Sequence, residues 1–270
     1  MVKKLLKHEF TYYIRTFGLF LPIVLVIGVM TRVFFLFDGE KTIHQILQGS
    51  SVVMLVISCS ALLILSMVAG VVRFYKNLFS AEGYLSLTLP VTNDTHIFVK
   101  LVAALVCQLV CLLVAAGAAA IAISGDLLTD IWQDFSKALD VIWEGMGAGH
   151  CVALAVEFTL ILLVSAVANM LLYYACITVG QTAKKNRILM AIVAYFVYYV
   201  ASQVLATIFT IVLTIMGMTE ALNEVILWVA YHPMATMHIY MWLMVILSAG
   251  LAALFWLVTR KIMSKKLNLE

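Results

Sequence analysis

Few side chains in this chain have the type and setting to do chemistry, and the clearest is Glu157. It stands in the stretch CVALAVEFTLILLV, which carries no other charge. A carboxylate among apolar residues is costly and ordinarily faces a cavity or a partner group. It could carry a proton or line a substrate path. It could equally be a hydrogen-bonded acid in a helix contact, with His150 almost two turns earlier on the same segment. Asn169, further along that segment, is a second polar candidate for such a path. Gln108, Asn169 and Gln203 are also residues of the kind that hydrogen-bond neighbouring helices, which is the commoner role.

Other chemistries find little support. The six histidines, His8, His44, His96, His150, His232 and His238, are dispersed, with no HExxH and no paired-His spacing on one helix. No GxSxG elbow occurs. The five cysteines sit within or at the edges of apolar stretches and include no CxxC pair; Cys107 and Cys111 share a helix face, where packing is the usual role of buried thiols. No catalytic residue and no metal ligand is therefore expected, and an intramembrane hydrolase or metalloenzyme is disfavoured.

Residues 73–100 are the most informative polar stretch. Phe74, Tyr75, Phe79 and Tyr84 mix with Lys76, Glu82 and the pair Leu89-Pro90. This pattern suits a short amphipathic helix broken near Ser80–Gly83 and stopped by Pro90, with Asn93-Asp94 capping the helix that follows. Half-buried aromatics of this kind make good anchors for a docking partner. They serve as well to pack a loop beneath its own bundle.

The elements that must position these residues follow from composition. The chain has 270 residues, 64% hydrophobic and 11% charged, where a soluble domain is about half apolar and a quarter charged. Its mean hydropathy is +1.09. Apolar runs of about 20 residues, enough to cross a bilayer, predict six transmembrane helices at about 17–37, 50–72, 97–123, 150–178, 189–216 and 237–259. Residues 1–16 read as an interfacial amphipathic helix. No cleavable signal is expected, because the apolar run begins late and no small-x-small site follows it. Residues 124–149 read as a second amphipathic helix, with Leu128, Ile131, Trp132, Phe135, Leu139, Ile142 and Trp143 at helical spacing and acids between them. It would gate or contact a substrate, or simply shield the top of the bundle; the second role is the commoner.

Charge sets the direction. Fourteen of the seventeen Lys and Arg fall in the N-terminal segment, residues 73–100, the turn 181–188 and the tail. The remaining connections hold only Arg32, Lys41 and Lys137. Basic loops stay on the cytoplasmic side, so both termini and the 73–96 segment are expected there, with 124–149 outside. The basic residues are scattered over short loops, with no soluble domain to carry them, so nucleic acid is not an expected partner. No tandem or inverted repeat is visible.

The stretch FYKNLFSAEGYLSLTLPVTNDTHIFVK resembles the cytoplasmic region after the second span in permeases of type-2 ABC exporters. Glu82, Gly83, Thr88, Leu89, Pro90, Val91, Thr92 and Lys100 carry the likeness. The six-span layout, the interfacial N-terminal helix and the basic tail are similar as well. The sequence departs from the family where Gly83-Tyr84-Leu85 replaces the usual Gly-Thr-Leu, and where the longer outer loop precedes the fourth span rather than the last. A divergent bacterial branch is the nearest likeness.

The resemblance implies a multi-pass protein of the bacterial cytoplasmic membrane. It would pair with an identical or homologous permease, contact membrane lipid, and stand above two ATP-binding subunits. The 73–96 segment would hold the coupling helix, with Phe74, Tyr75, Phe79, Glu82, Gly83 and Pro90 as its main elements. The chain itself has no GxxxxGK[ST] pattern. It is thus expected to bind no cofactor, with ATP and Mg held by the partner ATPase. A stand-alone secondary transporter or channel, built around Glu157, is the rival reading. A non-transporting assembly or sensing protein is a third. Substrate, direction of transport, and homodimer against heterodimer stay open at this level.

Overall fold

A computed structural model describes residues 2–37, 42–80, 83, 91–183, 185–217 and 223–265. Among them all regular structure is α-helical. The helices are α1 (Val2–Phe17), α2 (Phe20–Leu36), α3 (Thr42–Phe79), α4 (Asn93–Ile123), α5 (Asp126–Met146), α6 (Ala148–Gly180), α7 (Arg187–Gly217), α8 (Asn223–Tyr231) and α9 (Pro233–Lys265).

Five of these, α3, α4, α6, α7 and α9, are long and apolar enough to cross a bilayer. The pair α1–α2 supplies a sixth crossing if it is taken together; it bends by 41° at its break. The sequence fits the bend, because α1 mixes charged and apolar residues whereas α2, FLPIVLVIGVMTRVFFL, carries a single charge. Helix α7 has no buried residue among those described, and Ile188, Phe196, Leu205 and Phe209 all lie on its surface. Lipid tolerates such a surface and water does not. The protein is a multi-pass, all-helical membrane protein.

Helix α3 runs on beyond the expected second span. Its 38 residues extend roughly 57 Å at 1.5 Å per residue, against about 30 Å of hydrocarbon. Residues 73–79 are therefore the end of α3 and not a separate loop. The cap of α4 also differs from expectation. Thr92 is extended (φ −71°, ψ 154°) and its hydroxyl accepts from the Thr95 N–H at 3.4 Å. Asn93 and Asp94 already belong to the first turn, where Asp94 favours the positive helix end. Glycines at positive φ, Gly125 (108°) and Gly147 (80°), bracket α5, because only glycine takes that conformation without strain. Between the fifth and sixth expected spans stands the short helix α8. Pro233 opens α9, where its missing N–H and fixed φ suit a first turn.

The chain divides into two compact units, residues 1–141 and 142–270. In the first, α4 packs on α1, α2 and α3. The close approach of α2 to α4 depends on Gly28: a Cβ built there would come within 2.6 Å of the Ala118 carbonyl oxygen. The alanine run at 115–120 thus forms an internal helix contact at Ala115 and Ala118, both buried. From α3 the Cys59 thiol donates to the Ala115 carbonyl at 3.9 Å.

In the second unit, α6 packs on both α7 and α9. Its partners on α9 keep nearly constant sequence offsets, Glu157 with His238 and Ser165 with Ser248, so α6 and α9 run parallel. Helix α7 folds back through a tight turn, with Tyr173 stacked on Tyr195 at 5.7 Å.

Candidate functional site: a buried ionic node at the ends of α1, α3 and α4

The first unit gathers its buried charged residues where α1, the end of α3 and the start of α4 meet. Glu9 is the only acid among the first 37 residues, and on α1 it faces inward with Tyr13 and Phe17. Arg73 lies near the end of α3. Lys100 lies two turns into α4, inside an apolar run where an ammonium needs a counterion.

Glu9 binds both cations. Arg73 donates from Nε to Glu9 Oε2 at 2.9 Å, and Lys100 donates from Nζ to Glu9 Oε1 at 2.8 Å. The three side chains are 10%, 5% and 4% exposed for Arg73, Glu9 and Lys100. Lys100 also donates to Asn77 Oδ1 at 2.6 Å, which returns the network to α3. The Arg73 guanidinium lies 4.3 Å from the centre of the Tyr12 ring, with its Nη2 3.3 Å from His8 Nδ1. One carboxylate therefore ties three helices together, with cation–π packing on one side.

The electrostatics follow from this geometry. Burial works to raise the Glu9 carboxyl, but the charges and hydrogen bonds of Lys100 and Arg73 outweigh it and hold the group below its ordinary value.

The expected coupling residues divide around this node. Phe74 is 0% exposed and meets the Phe79 ring edge-on at 5.8 Å. It has no surface to offer a partner and instead anchors the end of α3 in its own bundle. Tyr75 and Phe79 are half-buried. Gly83 is buried, with its N–H donating to the Ser80 carbonyl at 2.7 Å. A Cβ at Gly83 would collide with the Leu78 carbonyl. Glu82 and Pro90 lie outside the described residues.

No protein-family model, characterised protein or solved structure matches the chain. Functional reading therefore rests on the side chains themselves.

The second unit holds a separate polar cluster. Glu157 is buried, and its Oε2 lies 2.8 Å from His238 Nδ1 on α9. His150 Nδ1 lies 3.0 Å from the other nitrogen of the same ring, His238 Nε2. Asn169 is exposed and takes no part in this chain. Among the described residues no group of three or more His, Cys, Asp or Glu could hold a metal ion.

Sequence reasoning singled out Glu157 and placed His150 near it, but missed His238, Glu9 and Arg73. A signal for the ionic node was present. Lys100 within an apolar run demands an acid, and Glu9 is the one acid that precedes the first span.

Proposed function

We propose that the chain is the membrane-spanning permease subunit of an ATP-driven transporter, with separate ATPase subunits docking beneath residues 73–96. A count of six spans, with α1–α2 taken as the first element and its interfacial lead, supports a cytoplasmic position for both termini and this segment under the basic-loop rule. The observation that carries the reading is the Glu9–Arg73–Lys100 node. It braces both ends of the 73–96 segment, Arg73 on the second span and Lys100 on the third, against α1. A docking segment braced in this way passes displacement into two spans instead of yielding locally. The likeness of residues 74–100 to type-2 ABC permeases points the same way. Phe79, half-exposed beside the anchored Phe74, is the aromatic best placed to meet a partner.

Co-purification in detergent with the ATPase encoded beside it tests the reading, comparing the wild type with Phe79→Ala and Glu82→Arg. A stable complex that these substitutions weaken supports it. A folded, monodisperse protein with no associated ATPase overturns it.

A self-sufficient transporter remains the second reading, favoured by one observation. The buried Glu157 is hydrogen-bonded to an imidazole and not to a backbone group, as a proton-linked carboxylate would be.

A further inference from the structure

We propose that His150, His238 and Glu157 form a one-proton relay, in which a proton taken up from solvent at His150 is passed to His238 and held there by Glu157, fastening α6 to α9.

The ring nitrogens define the starting state. A carboxylate can only accept, so His238 Nδ1 donates to Glu157 Oε2 at 2.8 Å. In the neutral ring His238 Nε2 then carries a lone pair, which faces His150 Nδ1 at 3.0 Å. His150 Nδ1 must therefore hold the hydrogen between them, and His150 Nε2 is left as the unprotonated nitrogen. Exposure falls along the chain. His150 is exposed, His238 is 21% exposed at its side chain, and Glu157 is 10% exposed. The exposed end stands in the first turn of α6, and the buried carboxylate closes the other.

One proton moves through without any bond left unmade. It binds His150 Nε2. The Nδ1 proton of His150 crosses to His238 Nε2, and His150 becomes the neutral Nε2–H tautomer. His238 becomes an imidazolium that donates from Nδ1 to Glu157 and from Nε2 to His150 Nδ1. The imidazolium pairs with the carboxylate across α6 and α9, a stronger bond than the neutral ring makes. A second proton would set two imidazolium rings face to face at hydrogen-bond distance, which like-charge repulsion opposes. The relay therefore takes one proton and not two.

Among the described residues, the titratable groups nearby are engaged elsewhere or turned outward. On α6 the Cys151 thiol donates to the Ile142 carbonyl at 3.7 Å. Helix α7, packed on α6, has no acidic, basic or tyrosine side chain from residue 200 to 217. On α8, packed against α9, Glu224 is exposed. The His232 ring is stacked on Trp228 at 5.0 Å. Tyr231 and Tyr240 are exposed, as is Glu144 at the end of α5. On the orientation proposed above, the solvent end of the relay faces outside the cell. The chemistry does not depend on that orientation or on any ATPase.

The test uses the full chain, labelled with 15N-histidine, in lipid nanodiscs between pH 8 and 5. The expected result is that His238 changes from the neutral Nδ1–H form to imidazolium, while His150 exchanges its Nδ1–H tautomer for Nε2–H. In Glu157→Gln the charge should stay on His150, and the rise in thermal midpoint on acidification expected of the wild type should be absent. A His238 ring that stays neutral across the range would overturn the relay, as would two histidines titrating independently in both proteins. If Glu157→Gln fails to fold, the wild-type spectra alone decide.

Discussion

Glu9 and Lys100 are separated by 91 positions and meet at 2.8 Å, and Arg73 closes on the other oxygen of the same carboxylate at 2.9 Å. Removing that carboxylate takes from two cations the counterion they share, in a setting where each side chain is a tenth exposed or less. Breaking a buried pair from one side costs about 3–5 kcal/mol. Glu9→Gln should therefore lower the thermal midpoint sharply in detergent. Glu9→Gln combined with Lys100→Met should recover part of the loss, because a cation that lost this carboxylate has been removed with it. Equal or additive losses in the single and double variants would show that the node is not coupled.

The same carboxylate gives an acid limb to stability. The folded Glu9 carboxyl is held below its ordinary value, so its contribution is complete above the unfolded value of about 4.3. It is lost as pH falls through the lower folded value. The stability difference between wild type and Glu9→Gln should stay constant from neutral pH down to the ordinary carboxylate range and shrink only at more acid pH. Denaturation curves for the pair at stepped pH measure this, and a difference already lost near pH 6 would contradict it.

Phe74 and Phe79 touch but should behave differently. Phe74 is fully buried, so Phe74→Ala should cost about 3–5 kcal/mol in stability. Phe79 is only half-buried, and Phe79→Ala should leave the fold largely intact while weakening any complex with an ATPase. Thermal melts and co-purification on the same preparations separate the two effects.

Gly28 lets α2 approach α4. With the Ala118 carbonyl oxygen 2.6 Å from where a Cβ would lie, Gly28→Val must push the helices apart. Overpacking of this kind costs about 1–3 kcal/mol. Gly117, with nothing within 4 Å of its own Cβ position, is the control: Gly117→Ala should be neutral or slightly stabilising, since alanine favours helix.

Helix α5 should lie in the membrane interface. Both its ends join long apolar helices within a few residues, so its axis cannot stand along the membrane normal without lifting one of them about 30 Å. Ile131, Trp132, Phe135, Leu139, Ile142 and Trp143 are all exposed. Lipids brominated high on the acyl chain should quench a component of tryptophan fluorescence that is absent from a Trp132→Phe, Trp143→Phe protein. Equal quenching in both proteins would place the helix away from lipid.

The sequence by itself determined the class of this protein and most of its elements. Apolar runs of span length leave the chain no stable state in water, and a period of 3.6 marks residues 124–149 as an amphipathic helix without reference to anything else. These are local properties, set by neighbours along the chain. Only the tertiary structure decided which polar residues meet. It joined Glu9 to Lys100, and His238 to Glu157 across 81 positions. It also turned Phe74 inward and carried α3 on to Phe79. A charge inside an apolar segment announces that it needs a partner, but the partner is chosen by helix packing and register. Those depend on contacts such as that of Gly28 with Ala118, which the spacing of residues along one helix does not contain.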